Sequence, residues 1–262
     1  MNVSTKPDWL ATLPAHVVST LRPHGQSAVL LVCEHAAKFI PEGLGNLGLD
    51  NGAAQSHIAW DPGALAVAER ISDALDATLI TQNVSRLVYD CNRPPDSDQA
   101  IRAESEVYQI AGNAGLTKAQ LAERVDYIYR PFQEAVATAI ATRAQTVLIT
   151  IHSFTPVYNG TAREMQVGIL HDQDRRLADA MLKAAAKNPV FTFERNAPYG
   201  PEDGVTHTLK EHALPNGLLN VMIEVRNDLL ADEEGITAVA TWLEGLLTSA
   251  LTALDRELIS TQ

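Results

Sequence analysis

Short apolar runs rich in β-branched residues alternate along this chain with longer segments of helical periodicity. The predicted strands are the runs 27–35, 77–83, 146–152, 165–172, 190–194 and 218–228. The predicted helices are the segments 61–75, 117–144, 174–188 and 233–258. Strands that alternate with helices favour a mostly parallel sheet with helices on both faces. The alternation therefore predicts an α/β fold.

The helix boundaries carry their own signals. Thr117 and Gln120 fit a capping box at the start of the segment 117–144. Pro131 should kink or split that segment, because proline lacks the N–H that an interior helix position needs. Asp174 is a predicted N-cap, since a carboxylate there can accept hydrogen bonds from the first free N–H groups.

The chain has 262 residues, which fits one domain over 1–262, with residues 1–25 as an N-terminal extension that packs on it. Long loops in such a domain are usually functional or mobile. The loops predicted to be long are 36–57, 84–116, 153–164 and 195–217.

Composition excludes several classes of function. A net charge of −12 argues against nucleic acid as a partner, because nucleic-acid binding needs a basic face. The two cysteines form no disulfide framework, which indicates a reducing compartment. The sequence shows neither a secretory signal pattern nor a run of about 18 apolar residues. We therefore expect a cytoplasmic protein without a membrane partner, and the oligomeric state stays open.

Polar side chains gather where the predicted strands end. The first strand ends in Glu34 and His35, the central one in His152, and the last in Glu224 followed by Arg226 and Asn227. The segment after the second strand contributes Arg86, Asp90, Asn92 and Arg93. The carboxyl ends of parallel strands meet at one edge of a sheet, where ligands bind. Two imidazoles and a carboxylate at this edge could bind a catalytic zinc ion. A second carboxylate could act as the general base, and the arginines could bind a carboxylate of the substrate.

Each of these residues also has a structural interpretation. A histidine at a strand end is often only a hydrogen-bonded core residue. Glu224 could pair with Arg226, which shares its strand face, and Asp61 could cap the helix that follows it. Cys33 and Cys91 fit small buried apolar residues. The chain lacks a G-x-S-x-G nucleophile motif and phosphate-binding glycine loops, so serine hydrolase and nucleotide-binding chemistry are weaker alternatives.

Six segments in order resemble the N-formylglutamate amidohydrolase family. They are "VCEHAAKFIP", "HIAWDPGA", "SRLVYDCNRP", "IHSFTP", "YGPEDGVTHTLKEHA" and "PNGLLNVMIEVRNDL", and they extend from residue 32 to residue 230. That family is similar to the zinc carboxypeptidase and aspartoacylase metallohydrolases. The resemblance therefore implies a zinc-carboxypeptidase-like (phosphorylase/hydrolase-like) α/β fold with a mixed, mostly parallel sheet.

The resemblance also implies roles for individual residues. His35 and His152 match zinc ligands, and Glu224 matches the general base. Arg86 matches the arginine that polarises the scissile carbonyl, and the substrate carboxylate is assigned to Asn92 and Arg93. The chain departs from the His-x-x-Glu pattern of the carboxypeptidases, because Lys38 stands where the glutamate ligand would be. The carboxylate ligand is then Asp61 as first choice, Glu34 as second or His57 as third.

The resemblance implies a small-molecule substrate, an N-acyl amino acid. The expected reaction converts N-formyl-L-glutamate to glutamate and formate with Zn²⁺, or another divalent metal, as cofactor. Arg102 and Arg163 are both candidates for the second substrate carboxylate. The remaining predicted substrate-binding residues are Ser153, Tyr199, His207 and Arg226. The alternatives are another N-acyl amino acid, a small peptide, or a non-catalytic binder on the same fold.

Overall fold

Seven strands form one sheet in a computed structural model that describes residues 7–143 and 146–255. In chain order these strands are β1 (Val18–Leu21), β2 (Val29–Cys33), β3 (Thr78–Gln82), β4 (Val147–Phe154), β5 (Val167–Leu170), β6 (Phe193–Arg195) and β7 (Leu219–Arg226). Their spatial order is β1-β3-β2-β4-β7-β5-β6. Two short hairpins stand apart from the sheet, Glu104–Ser105 with Tyr108–Gln109 and Val157–Tyr158 with Thr161–Ala162.

Strand direction decides where the polar strand ends lie. The four central strands β3, β2, β4 and β7 are parallel to one another. The edge strand β1 is antiparallel to β3, and β5 is antiparallel to β7. The mixed, mostly parallel sheet confirms the predicted α/β fold class. The carboxyl ends of β2, β4 and β7, which carry the polar residues, meet at one edge.

Helices cover both faces of the sheet. The helices are α1 (Asn51–Gln55), α2 (Ala64–Leu75), α3 (Lys118–Arg124), α4 (Arg130–Ala141), α5 (Arg176–Lys187) and α6 (Glu233–Ala253). Helices α2, α5 and α6 share one core with Val29, Leu31 and Cys33 of β2. Helix α4 shares the other core with Leu30 and Val32. A central strand buried on both faces has no polar face, which explains its continuous apolar run.

The helix boundaries follow most of the predicted signals. Thr117 and Gln120 form the expected capping box, and a π-helical turn, Val125–Tyr129, divides the segment just before Pro131. Residue 144, the predicted end of that segment, lies outside the described residues. The N-cap of α5 is Arg175, so the prediction of Asp174 is wrong by one residue. Asp174 Oδ1 nevertheless accepts a hydrogen bond of 3.0 Å from Arg176 N.

The N-terminal edge of the sheet differs from the sequence prediction. Val18–Leu21 forms an edge strand of the sheet, although the sequence analysis assigned residues 1–25 only to an extension. Helix α6 is long and apolar enough to span a membrane by length and composition. It contributes buried residues to the core that it shares with α2 and α5, as a core helix of this length does. The division into one domain with an N-terminal extension stays a prediction.

Candidate functional site

Three potential metal-ligating atoms converge at the carboxyl edge of the sheet. His35 Nδ1 lies 3.1 Å from Asp61 Oδ2, and His152 Nδ1 lies 3.0 Å from the same oxygen. The two Nδ1 atoms are 3.2 Å apart. All three side chains are buried. Within the described residues, they form a group that could hold a metal ion.

Local structure brings these three side chains together. His35 follows β2 after one residue, and His152 lies near the carboxyl end of the adjacent parallel strand β4. Asp61 lies in the loop before α2, and its N–H donates a 3.0 Å hydrogen bond to the carbonyl of His35. The N–H of Ser153 donates to Asp61 Oδ2 at 3.3 Å. Asp61 is therefore part of the cluster, and the N-cap of α2 is Gly63, so the capping interpretation is wrong.

The outer nitrogen of each histidine faces a separate buried carboxylate. His35 Nε2 is 2.7 Å from Asp90 Oδ1, and His152 Nε2 is 3.1 Å from Glu34 Oε2. The His35–Asp90 contact is a hydrogen bond, whereas His152 Nε2 and the Glu34 oxygens have no hydrogen-bond partner among the described residues. A carboxylate near Nε2 favours a proton on that nitrogen and leaves the Nδ1 lone pair free. Two Nδ1 lone pairs and the Asp61 carboxylate would then point at one another.

Such a convergence of acceptors is unfavourable unless a cation lies among them. Ligands at about 2.0–2.1 Å from a tetrahedral Zn²⁺ are about 3.3 Å apart, close to the separations seen here. The donor set, imidazole nitrogen and carboxylate oxygen, also suits a divalent cation. These residues fit a metal ion, and they are the first-choice set of the sequence analysis.

The alternative metal ligands Glu34 and His57 lie outside the cluster. Glu34 lies behind the outer nitrogen of His152 and is fully buried. His57 Nε2 lies 2.5 Å from Glu106 Oε1 and lines the neighbouring cavity. Neither residue belongs to the group that could hold a metal ion.

Arg86 is held between two carboxylates of the site. Its terminal nitrogens donate to Asp61 Oδ1 at 3.1 Å and to Asp90 Oδ2 at 2.8 Å. Burial acts to lower the pKa of Arg86, but Asp90 and Asp61 outweigh it and raise the pKa. Asp90 thus connects the outer nitrogen of His35 to Arg86. The sequence predicts Asp90 among the polar residues of the site but indicates no role for it.

Glu224 lies on β7 directly opposite His152 in the register of the two parallel strands. Its side chain is buried and lines the same cavity as the metal-ligand cluster. Burial is the main reason why the pKa of Glu224 is raised to about 7. A carboxyl group with a pKa near neutrality is suited to both accept and return a proton.

A cavity of about 320 Å³ adjoins the cluster. Of the predicted substrate-binding residues, Asn92, Arg93, Ser153 and Tyr199 line it, whereas His207 and Arg226 do not. His207 Nε2 lies 2.8 Å from the hydroxyl of Tyr129. Arg226 is ion-paired with Asp228. The substrate-binding roles stay predictions.

Hydrogen bonds attach the loop that contains residues 200–208 to this cavity. The Asn92 amide accepts a hydrogen bond from Thr208 N at 3.1 Å and donates one to the carbonyl of Val205 at 2.5 Å. Arg93 Nη1 donates to the carbonyl of Gly204 at 2.7 Å. Asn92 and Arg93 therefore position this loop over the cavity.

A candidate cation site beside a buried carboxyl group, at the carboxyl edge of an α/β sheet, is an arrangement typical of a hydrolase. Sequence comparison identifies the family. The chain belongs to the N-formylglutamate amidohydrolase family, whose sequence model matches residues 27–231. None of the curated proteins matches the chain.

The solved structures that are similar to this chain include the following two. A gene product of Agrobacterium tumefaciens is 52% identical and superposes with a TM-score of 0.90, covering 92% of this chain and 96% of its own. An N-formylglutamate amidohydrolase from Ralstonia eutropha is 19% identical, with a TM-score of 0.59 over 91% of this chain and 98% of its own. The second similarity shows a shared fold.

Proposed function

We propose that this chain is a metal-dependent amidohydrolase that converts N-formyl-L-glutamate and water to glutamate and formate. The observation that carries the proposal is the convergence of His35 Nδ1, His152 Nδ1 and Asp61 Oδ2 beside the buried Glu224. Membership of the family supports the reaction class. A cytoplasmic location is part of the same proposal.

The metal would be held by His35, His152 and Asp61, with Zn²⁺ as our first choice. When bound, such a cation polarises a carbonyl and acidifies a water molecule. Asp90 orients His35 from behind through a hydrogen bond, and Glu34 faces the outer nitrogen of His152 as a buried negative charge.

Glu224 moves the proton in the proposed reaction. Its carboxylate accepts a proton from the attacking water and donates it to the leaving nitrogen as the C–N bond breaks and the new C–O bond forms. Arg86, held by two carboxylates, is a preorganised positive charge for the oxygen on which negative charge develops. Arg93 binds the α-carboxylate of the substrate, since its Nε is buried without a partner among the described residues.

The test is formate release from N-formyl-L-glutamate by protein stripped with a chelator and then reloaded with Zn²⁺. We expect release only from the reloaded protein, and N-acetyl-L-glutamate serves as the alternative acyl substrate. If only the acetyl compound is hydrolysed, the enzyme is still an amidohydrolase, but its substrate is an N-acetyl and not an N-formyl amino acid. Equal formate release by stripped and reloaded protein would contradict metal dependence.

A further inference from the structure

The cavity beside the metal-ligand cluster contains three arginines that differ in their partners. Arg86 is paired with two carboxylates, and Arg93 donates through Nη1 to the carbonyls of Asn92 and Gly204. Within residues 7–143 and 146–255, the Arg102 side chain has no hydrogen bond and no ion pair, and its Nε is buried. Arg102 is thus the cavity arginine whose charge is left without a protein partner.

The main chain of Arg102 is nevertheless fixed. The side-chain amide of Asn113 donates to the carbonyl of Arg102 at 2.7 Å and to that of Leu87 at 2.8 Å. The amide oxygen of Asn113 in turn accepts a 2.6 Å hydrogen bond from the buried Arg124. The protein therefore holds Arg102 in place while its guanidinium group stays available to a ligand.

Arg102 is half-buried with its Nε shielded from solvent, and a largely desolvated guanidinium group without a partner is costly. Burial lowers the pKa of Arg102, and the neighbouring charge of Arg86 adds to this effect. Arginine nevertheless stays charged, so an anion is needed to compensate. Asp90 opposes this lowering of the pKa, but Asp61 and Asp90 are paired with His35 and Arg86. Of the other cavity carboxylates, Glu106 and Asp203 have His57 and the N–H of Gly200 as partners.

Arg163, the other candidate for this role, is placed differently. Its guanidinium carbon lies over the rings of Phe154, Tyr158 and Tyr199, at 5.5, 4.7 and 4.9 Å from their centroids. Arg163 is absent from the residues that line the cavity. The aromatic contacts satisfy its charge, so Arg102 is the better site for a ligand anion.

We propose that Arg102 is the specificity residue that binds a carboxylate at the end of the substrate side chain. This inference rests on the proposed function, in which Arg93 binds the α-carboxylate. The two arginines then select an N-acyl amino acid that carries two carboxylates, and a neutral side chain offers Arg102 no ion pair. Discrimination therefore comes from the charge-assisted hydrogen bonds that only the second carboxylate can accept from Arg102.

The kinetic test compares N-formyl-L-glutamate with N-formyl-L-glutamine, its neutral isostere, in the zinc-loaded enzyme. We expect kcat/KM to favour the glutamate compound by about 10- to 100-fold, as a lost charge-assisted hydrogen bond does. R102Q should lower kcat/KM for the glutamate compound by a similar factor and leave the glutamine compound within threefold. R163Q is the matched control and should keep the wild-type ratio.

A binding test separates this inference from the proposed function, because it needs no turnover. Glutarate carries two carboxylates and butyrate carries one. Titration calorimetry measures the Kd of each acid for wild type, R102Q and R102K. We expect glutarate to bind wild type about 10-fold or more tightly than butyrate, R102Q to abolish the difference and R102K to keep part of it. If wild type does not distinguish the acids, or R102Q weakens both equally, Arg102 is not the specificity residue. If the difference holds but no amide is hydrolysed, the proposed function fails and the inference stands.

Discussion

Asp90 contacts two groups of the site with one carboxylate, the outer nitrogen of His35 and the guanidinium of Arg86. Removing its charge would loosen the orientation of His35 and leave Arg86 with Asp61 alone. We expect D90N to weaken zinc affinity by about 10- to 100-fold, the usual effect of losing a partner behind a metal-binding histidine. Competition with a chromophoric chelator measures the affinity.

The control for D90N is D96N, an exposed aspartate in the same loop. D96N should bind zinc as wild type does. Wild-type affinity in D90N would show that Asp61 and His152 hold the metal without help from the Asp90–His35 contact.

A substitution of Glu224 tests the catalytic step separately from metal binding. It lines the cavity but does not belong to the group that could hold a metal ion. We expect E224Q to bind zinc normally and to lose about 10²- to 10⁴-fold in kcat, since glutamine cannot accept the proton. Metal content by elemental analysis and formate release on the same sample check both parts. Near-normal turnover in E224Q would place the general base elsewhere.

At the scale of elements, the backbone conformation at the start of α2 determines the position of Asp61 in the site. Gly63 is the N-cap of this helix, with φ of +78°, and a Cβ on it would lie 2.3 Å from Cβ of Leu230. We expect G63A to reduce the free energy of unfolding by about 2–4 kcal/mol, because strain and overlap add. It should also weaken zinc binding, since Asp61 lies two residues away.

Gly115 supplies the matched control for G63A. Its φ is +66°, and a Cβ there would meet nothing within 4 Å. G115A should therefore cost about 1 kcal/mol from backbone strain alone, with zinc binding unchanged. Urea unfolding measures both variants, and equal losses would contradict the role of the Leu230 contact.

The strands differ in how well the sequence predicts them. Fully buried strands such as β2 and β4 begin as β-branched apolar runs, so both their existence and the polar residues at their ends could be predicted. The edge strand β1 has only half-buried or exposed residues, and its sequence VSTL carries no strand pattern of its own. The antiparallel direction of β5 depends on its pairing with β7, about which periodicity contains no information.

The residues of the site also differ in how well the sequence predicts their positions. His152 and Glu224 lie on buried strands, so the topology alone predicts that they meet. Asp90 and Arg102 belong to the long loop 84–116, whose path depends on tertiary hydrogen bonds such as those of Asn113. Such bonds cannot be predicted from sequence spacing. The sequence therefore indicates no role for Asp90 and does not decide between Arg102 and Arg163 as the ligand of the second substrate carboxylate.

At the scale of the whole molecule, the site lies between the two halves of the core. Strands β2, β4 and β7 contribute side chains to both cores, and their carboxyl ends meet at the site. A cation that binds His35, His152 and Asp61 would connect β2, β4 and the loop before α2. Metal binding should therefore stabilise the global fold as well as the site.

The predicted size of this effect follows from linkage. A ligand at 1,000 times its Kd stabilises the native state by about 4 kcal/mol. For a chain of this size, about 1 kcal/mol corresponds to about 2–4 °C in Tm, so saturating Zn²⁺ should raise Tm by about 10 °C. Differential scanning calorimetry of stripped and reloaded protein measures the shift.

H152A tests whether this shift comes from the proposed cluster. Removing the imidazole eliminates one of three ligands, so the zinc-dependent rise in Tm should disappear, although stripped H152A should still unfold cooperatively. H24A removes an exposed histidine outside the site and should keep the full rise. A rise of wild-type size in H152A would mean that zinc binds the fold elsewhere, and the metal centre would have to be sought among other residues.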